Sequence, residues 1–201
     1  MTKNYGIIIL AAGSSSRLGR PKQLLPYKGQ SLLRHIVDIA IAAEVGPVIV
    51  VIGSELKLLE DELKDTKAIV VHNKEWEEGL ASSIRSGLDQ FTAEFPSAEG
   101  VIFTVCDQPY ITEFLLRQMV DGHVVSGQKL IASAYDDTMG TPVFFHKDLF
   151  PQLMELKGDK GAKQIINNNK DGMAIVSFPM GGRDIDTEAD YEQLLKNQNI
   201  Q

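Results

Sequence analysis

Residues 5–11, YGIIILA, form a short continuous apolar run, and a Gly/Ser-rich segment carrying three cations follows it at once. A run of this length without polar alternation reads as a strand covered on both faces, the condition of strands inside a parallel sheet. Parallel neighbours need long crossovers, usually helical. This one run therefore requires the remaining chain to supply further strands alternating with amphipathic helices.

The chain does so. Ser31 opens a helix in which Leu32, Leu33, Ile36, Ile39 and Ala40 share one stripe. Residues 47–52 read as a second strand ended by Gly53, and Ser54 as the cap of a helix through about residue 63. Residues 68–71 read as a third strand, residues 80–95 as a helix with Ile84, Leu88 and Phe91, and residues 101–105 as another fully apolar strand. Thr112 caps a helix bearing Leu115, Leu116 and Met119; residues 130–134 and 142–145 are strand candidates. Asp159 or Gly161 starts a helix to about residue 167, residues 174–178 form a late strand, and Thr187 caps a last helix with Tyr191, Leu194 and Leu195. This rhythm predicts a three-layer α/β/α arrangement with a mostly parallel sheet. No repeat or linker divides it, so one domain over residues 1–201 is expected.

Charge narrows the function. Lys plus Arg number 20 against 27 for Asp plus Glu, a formal charge of −7. An acidic chain attracts polyanions only through local basic patches, so a small-molecule phosphate site is expected and a nucleic-acid surface is not. The lone cysteine, Cys106, excludes an internal disulfide, and no Cys/His cluster has zinc spacing. No signal segment precedes the first strand and no apolar stretch is long enough to span a membrane, so the cytoplasm is the expected compartment.

The loop after the first strand reads Ala12-Gly13-Ser14-Ser15-Ser16-Arg17-Leu18-Gly19-Arg20-Pro21-Lys22. It falls at the carboxyl end of a buried strand, where open parallel sheets bind ligands. Small residues let backbone N–H groups approach phosphate oxygens, while Arg17, Arg20 and Lys22 add charge. It is neither GxxxxGK[ST] nor GxGxxG. A solvated surface turn is the other reading of such a loop, and three cations directly after a buried strand weigh against it. Asp107, at the tip of the strand over 101–105, either holds Mg2+ or caps the following turn.

LAAGSSSRLGRPKQLLP resembles the signature of the MobA-like nucleotidyltransferases, and within them the molybdenum cofactor cytidylyltransferase branch. The resemblance implies a Rossmann-like, nucleotide-diphospho-sugar transferase (GT-A-like) fold whose first loop wraps a triphosphate. It implies nucleotide binding by Leu10, Ala11, Ala12, Gly13, Ser14, Ser15, Arg17 and Lys22. Cys106-Asp107-Gln108-Pro109 and Asp184-Ile185-Asp186-Thr187 also match family elements. By the resemblance, Asp107 and Asp186 coordinate Mg2+, and Arg17, Lys22 and Asp107 are the catalytic set. Thr187 with Asp190 also resembles a capping box. The GLASSIRSGL segment resembles a further element that sets Gly79 and Ser83 against the nucleotide; small residues for close helix packing are the alternative.

Two features bear on the acceptor. Thr141 stands in Gly140-Thr141-Pro142 where many relatives carry His, which leaves acceptor identity open. Residues 156–162 match a family segment, with Asp159 lining the acceptor pocket or capping a helix. His35, His72, His123 and His146 read as structural or surface residues, Cys106 as a small hydrophobe, and Trp76 as packing or a base platform. Ala12-Gly13, by the resemblance, favours CTP as donor and molybdopterin cofactor as acceptor, with a molybdenum hydroxylase as a possible recipient of the product. The expected function is thus transfer of CMP from CTP with release of pyrophosphate. Cytidylyl or sugar-phosphate transfer to another acceptor, and a non-catalytic cofactor-binding maturation partner, are the alternatives. Lys22 is expected on a solvent-facing loop, so that Lys22→Ala harms catalysis more than folding.

Overall fold

A computed structural model describes residues 4–15 and 17–198; Ser16 of the first loop lies outside them. The first strand, β1 (Tyr5–Ala11), has Ile7, Ile8 and Ile9 fully buried. A small hairpin, β2 (Pro26–Tyr27) and β3 (Gln30–Ser31), leads into α1 (Leu32–Ala42). Then come β4 (Val48–Ile52), α2 (Leu56–Leu63), β5 (Ile69–His72), α3 (Leu80–Glu94) and β6 (Gly100–Val105). After α4 (Glu113–Ser126), β7 (Leu130–Tyr135) and β8 (Thr138–His146) form a hairpin. The chain continues through α5 (Phe150–Met154), α6 (Ala162–Asn168), β9 (Met173–Ser177) and α7 (Glu188–Gln198).

The seven-stranded sheet runs β5-β4-β1-β6-β8-β7-β9. Every strand is parallel to its fellows except β8, which is antiparallel to both β6 and β7. β1 sits between β4 and β6, with Ile7 opposite both Val48 and Ile102. Its side chains alternate between two cores. Ile7, Ile9 and Ala11 meet α1, α2 and α4 on one face, whereas Ile8 and Leu10 meet α3, α5 and α6 on the other. Covering both faces is what a strand with no polar side requires. A third, smaller cluster seats α7 against the first hairpin through Leu25, Tyr27, Leu32, Ile185, Tyr191 and Leu194. Among the described residues no helix is long and apolar enough to cross a membrane.

Several local expectations shift. Ser54 does not cap α2: Glu55, in the left-handed region at φ 57°, precedes the helix, and no side chain caps it. The Ser54 hydroxyl instead donates to the Gly13 carbonyl at 3.3 Å, so loop contact takes the group that a cap would have used. The third strand starts one residue later than expected, at Ile69. Ile39 is only half-buried because the buried stripe of α1 is completed by Val37. The strand expected over 142–145 is nine residues long because it is hydrogen-bonded on both edges. Gly161, not Asp159, precedes α6. The five-residue α5, with Pro in its first turn, is too short for a periodic signal.

Gly87 explains how closely α3 lies on the sheet. A Cβ there would come within 2.7 Å of the Ile8 and Val51 Cγ2 atoms, both on β-branched residues of central strands. Those neighbours have little freedom to yield. We expect Gly87→Ala to destabilise the protein by about 1–3 kcal/mol through overpacking. Urea unfolding checks it; an unchanged or higher midpoint would show that α3 can lift without cost.

Candidate active site

The chain leaves β1 for β4 on one side and later returns to place β6 on the other. Loops at the carboxyl ends of β1 and β6 therefore diverge, and a crevice opens between them. A cleft of about 420 Å³ occupies that position. One wall is the backbone of residues 10–14 with Lys22 and Gln23; Val105, Cys106 and Asp107 form the floor beside it. The opposite wall carries Trp76, Glu77, Gly79, Leu80, Ser83 and Asp159.

Gln23 gives the first loop its shape. It is buried, and its amide nitrogen donates to the carbonyls of Ala11 at 2.9 Å and Gly13 at 2.8 Å. Ser15 Oγ donates to Gln23 Oε1 at 3.3 Å and accepts from the Lys22 backbone N–H at 3.0 Å. In a trans peptide the N–H points opposite to the preceding carbonyl. Fixing the Ala11 and Gly13 carbonyls on Gln23 thus turns the N–H groups of Ala12 and Ser14 away from it. Neither N–H donates to a protein acceptor among the described residues. Two unpartnered donors on a cleft wall suit an anion.

Lys22 is the electrostatic centre. Its ammonium donates to Asp107 Oδ2 at 2.5 Å and to Asp186 Oδ1 at 3.0 Å, residues 85 and 164 positions away in sequence. Its side chain is only 16% exposed, which corrects the solvent-facing expectation: removing it would leave two adjacent carboxylates without their shared counter-charge. Burial alone would lower the lysine's pKa, but the Asp107 charge and the hydrogen bonds to Asp107 and Asp186 overcome it and raise the value. Asp186 is also drawn up by burial, and Lys22 and Arg17 more than reverse that, holding it below the usual carboxylate range. Arg17 reaches Asp186 Oδ2 at 2.9 Å from a largely exposed position. Arg20 turns outward to Glu188 at 2.7 Å and stacks near Tyr191.

Main chain and caps hold the two acids in place. The Ile185 N–H donates to the Asp107 carbonyl at 2.9 Å, tying the Asp186 segment to the end of β6. Asp190 accepts from the Thr187 N–H at 2.8 Å and its own N–H donates to Thr187 Oγ1, the reciprocal bond of a capping box. One oxygen from each acid lies within 3.0 Å of a single atom. An oxygen pair of this kind fits Mg2+, which takes one or two carboxylates and completes its shell with phosphate oxygens and water. Among the described residues no group of three or more His, Cys, Asp or Glu is arranged to hold a metal ion, so the two acids would share the ion with phosphate and water oxygens.

On the far wall Gly79 adopts φ 114°, where a Cβ would press on Asp159 and the Gly158 backbone. Asn73, buried at the end of β5, donates to Ser82 Oγ at 2.8 Å and Ser83 Oγ at 3.0 Å. Asp159 lines the same cleft as Gly79, Ser83 and the first loop. Thr141 donates to Gln108 Oε1 at 3.1 Å, and the Gln108 amide donates to the Gly181 carbonyl at 2.8 Å. Asp184 is pushed up to about 6 by partial burial and then by the Asp107 and Asp186 charges.

Other groups stay outside the chemistry. The Cys106 thiol is pushed up to about 12 by burial and the Asp107 charge, so it carries no thiolate near neutral pH. No histidine lines the cleft; His35 meets the Pro109 carbonyl and His123 that of Gln128. Trp76 both lines the cleft and packs on Gly53. Ser15 is bonded to Gln23 and Lys22, Asp186 joins the cleft through Lys22, and Arg17 joins it through Asp186. Sequence reading passed over the roles of Gln23, Asn73 and Gln108. Gln23 and Gln108 lie inside the motifs that follow β1 and β6, whereas nothing around Asn73 marks it.

Residues 7–173 match the family described as the MobA-like NTP transferase domain. "Purine catabolism protein PucB" of Bacillus subtilis (strain 168) is 27% identical over 93% of this chain and 94% of its own length. "Nicotine blue oxidoreductase" of Paenarthrobacter nicotinovorans is 24% identical, over 94% and 95%. "Molybdenum cofactor guanylyltransferase" of Yersinia pestis (strain Pestoides F) is 28% identical, over 80% and 78%. Among solved structures, Rv0371c of Mycobacterium tuberculosis H37Rv superposes with a TM-score of 0.84 at 29% identity, covering 98% of this chain and 100% of that one. A complex of Rv0371C with manganese gives 0.80 at 27% identity, covering 96% and 98%.

Gln23→Leu would leave the Ala11 and Gly13 carbonyls without their donor. We expect a loss of about 2 kcal/mol in chemical denaturation, within the range for stranded buried polar groups. A change under about 0.5 kcal/mol would mean that the loop is held by something else.

Proposed function

The chain belongs to the MobA-like NTP transferase family and is a nucleotidyltransferase, and we propose that it transfers CMP from CTP to molybdopterin cofactor with release of pyrophosphate. The single observation that carries this reading is the meeting of Lys22 with Asp107 and Asp186 beside the first loop. Cation, paired acids and outward N–H groups together match what a triphosphate and a divalent ion require. The guanylyltransferase of Yersinia pestis and the manganese complex of Rv0371C support the acceptor and the metal class respectively. Ala12-Gly13 supports CTP as the donor.

In this reading one nucleotidyltransferase domain spans residues 1–201. The N–H groups of Ala12 and Ser14 receive phosphate oxygens, and Lys22 and Arg17 turn to the phosphates as charge develops on the leaving pyrophosphate. Gly79 and Ser83 line the place of the base and ribose. Asp107 and Asp186 would hold Mg2+, which would supply charge neutralisation on the phosphates. A terminal phosphate oxygen of the acceptor forms its bond to the α-phosphorus as the bond to pyrophosphate breaks. Most of the acceleration comes from positioning and fixed charge, so no side-chain nucleophile is needed.

A nucleotide panel tests the proposal: CTP, GTP and ATP, each with Mg2+ and purified molybdenum-loaded molybdopterin, scored by pyrophosphate release. Release with CTP and cofactor together is expected. Release with GTP alone would reassign the donor, and silence with every nucleotide would end the acceptor assignment.

Asp107→Ala should cut turnover by more than about 100-fold, since even outer partners of metal ligands cost 10–100-fold. Turnover near the parent's would remove Asp107 from the metal site. Circular dichroism of the same variant controls for folding.

A further inference from the structure

The two acids proposed to hold the divalent ion are paired with the protein's own cations. Lys22 Nζ touches one oxygen of each acid, and Arg17 takes the second oxygen of Asp186. The four side chains carry two positive and two negative charges. A divalent ion arriving alone would compete with Lys22 for both carboxylates, and taking the oxygens it holds would leave the ammonium of a side chain only 16% exposed without a partner. Stranding a partly buried charge is costly. A triphosphate alone would meet two carboxylates on the rim of its own site. Arriving together they avoid both penalties: the phosphates take Lys22 and Arg17, and the vacated carboxylates take the ion.

We infer that Lys22 stands in for the divalent ion in the free protein, so that ion and nucleotide bind as a coupled pair and neither occupies the site well alone. This rests on the reading that Asp107 and Asp186 are the metal ligands. It assigns Lys22 a second task besides meeting the phosphates: keeping the acids together and closed to free ions until a nucleotide is present. The main-chain bond from Ile185 to Asp107 is what allows the exchange, because it holds the two acidic segments side by side whichever cation lies between them.

The test uses full-length protein and Mn2+ alone, with no nucleotide and no turnover. Free Mn2+ is followed by electron paramagnetic resonance as protein is titrated. The parent should bind weakly. Lys22→Met should bind Mn2+ at least about tenfold more tightly, a coupling within the usual range between linked ligands. Lys22→Arg, which keeps the positive charge, should stay weak. Adding Asp107→Asn to Lys22→Met should abolish the gain.

Equal Mn2+ affinity in the parent and Lys22→Met overturns the inference, as does a gain that survives Asp107→Asn. Should Lys22→Met not fold, Lys22→Gln gives the same comparison with a polar neutral side chain. The pyrophosphate assay is independent of this outcome. An active enzyme whose Lys22→Met gains no Mn2+ affinity sinks the lysine's second task alone. A clear gain in a protein that never releases pyrophosphate sinks the transfer reading and leaves the lysine's task standing.

Discussion

The rest of the structure depends on β1 being buried on both faces. Ile7, Ile8 and Ile9 are each fully shielded, so the strand needs a neighbour on either edge and helices above and below. A crossover to β4 and a later return to β6 meet that need. The same solution forces the loops at its carboxyl end apart. The crevice is thus a by-product of satisfying one hydrophobic strand, and the polar loop that follows β1 has nowhere to go but along its wall.

Within that crevice, backbone and side-chain polarity divide the work. Gln23 spends its amide on two carbonyls of the loop and so aims the opposite edge of those peptides outward. Lys22, the next residue back, points its ammonium at acids from the end of β6 and from the entry to α7. Adjacent residues therefore do unlike things because a 3-10 turn, residues Lys22–Leu24, sends their side chains in different directions. The third hydrophobic cluster matters here too. Tyr191 packs among Leu25, Tyr27 and Leu32 and donates to the Pro26 carbonyl, which anchors α7 beside the loop that carries Lys22.

The framework was largely readable from residue order. Continuous apolar runs marked β1, β4 and β6, and hydroxyl caps at Ser31 and Thr112 marked α1 and α4, each accepting the N–H three residues on. Where the reading slipped, a tertiary contact had captured the local group: Ser54 turned to Gly13, and β8 was lengthened by pairing on both edges. Placement of the site residues follows a similar division. Arg17 and Lys22 stood out by charge and Asp107 by its strand-end position, yet nothing in the residue pattern said that Asp159 would face Gly79 or that Asn73 would hold Ser82 and Ser83.

By itself the sequence determined which segments must be buried, where the polar loop begins, and which side chains carry charge, because these follow from chemistry over a few neighbouring residues. It also carried the family's ordered motifs. Only the tertiary structure decided that Lys22 lies between acids 85 and 164 residues away, that its ammonium is shielded and not solvated, and that Gln23 orients the loop. Distances between remote groups are set by how strands order themselves in the sheet. That order minimises exposed apolar area over the whole chain at once, and no local window contains it.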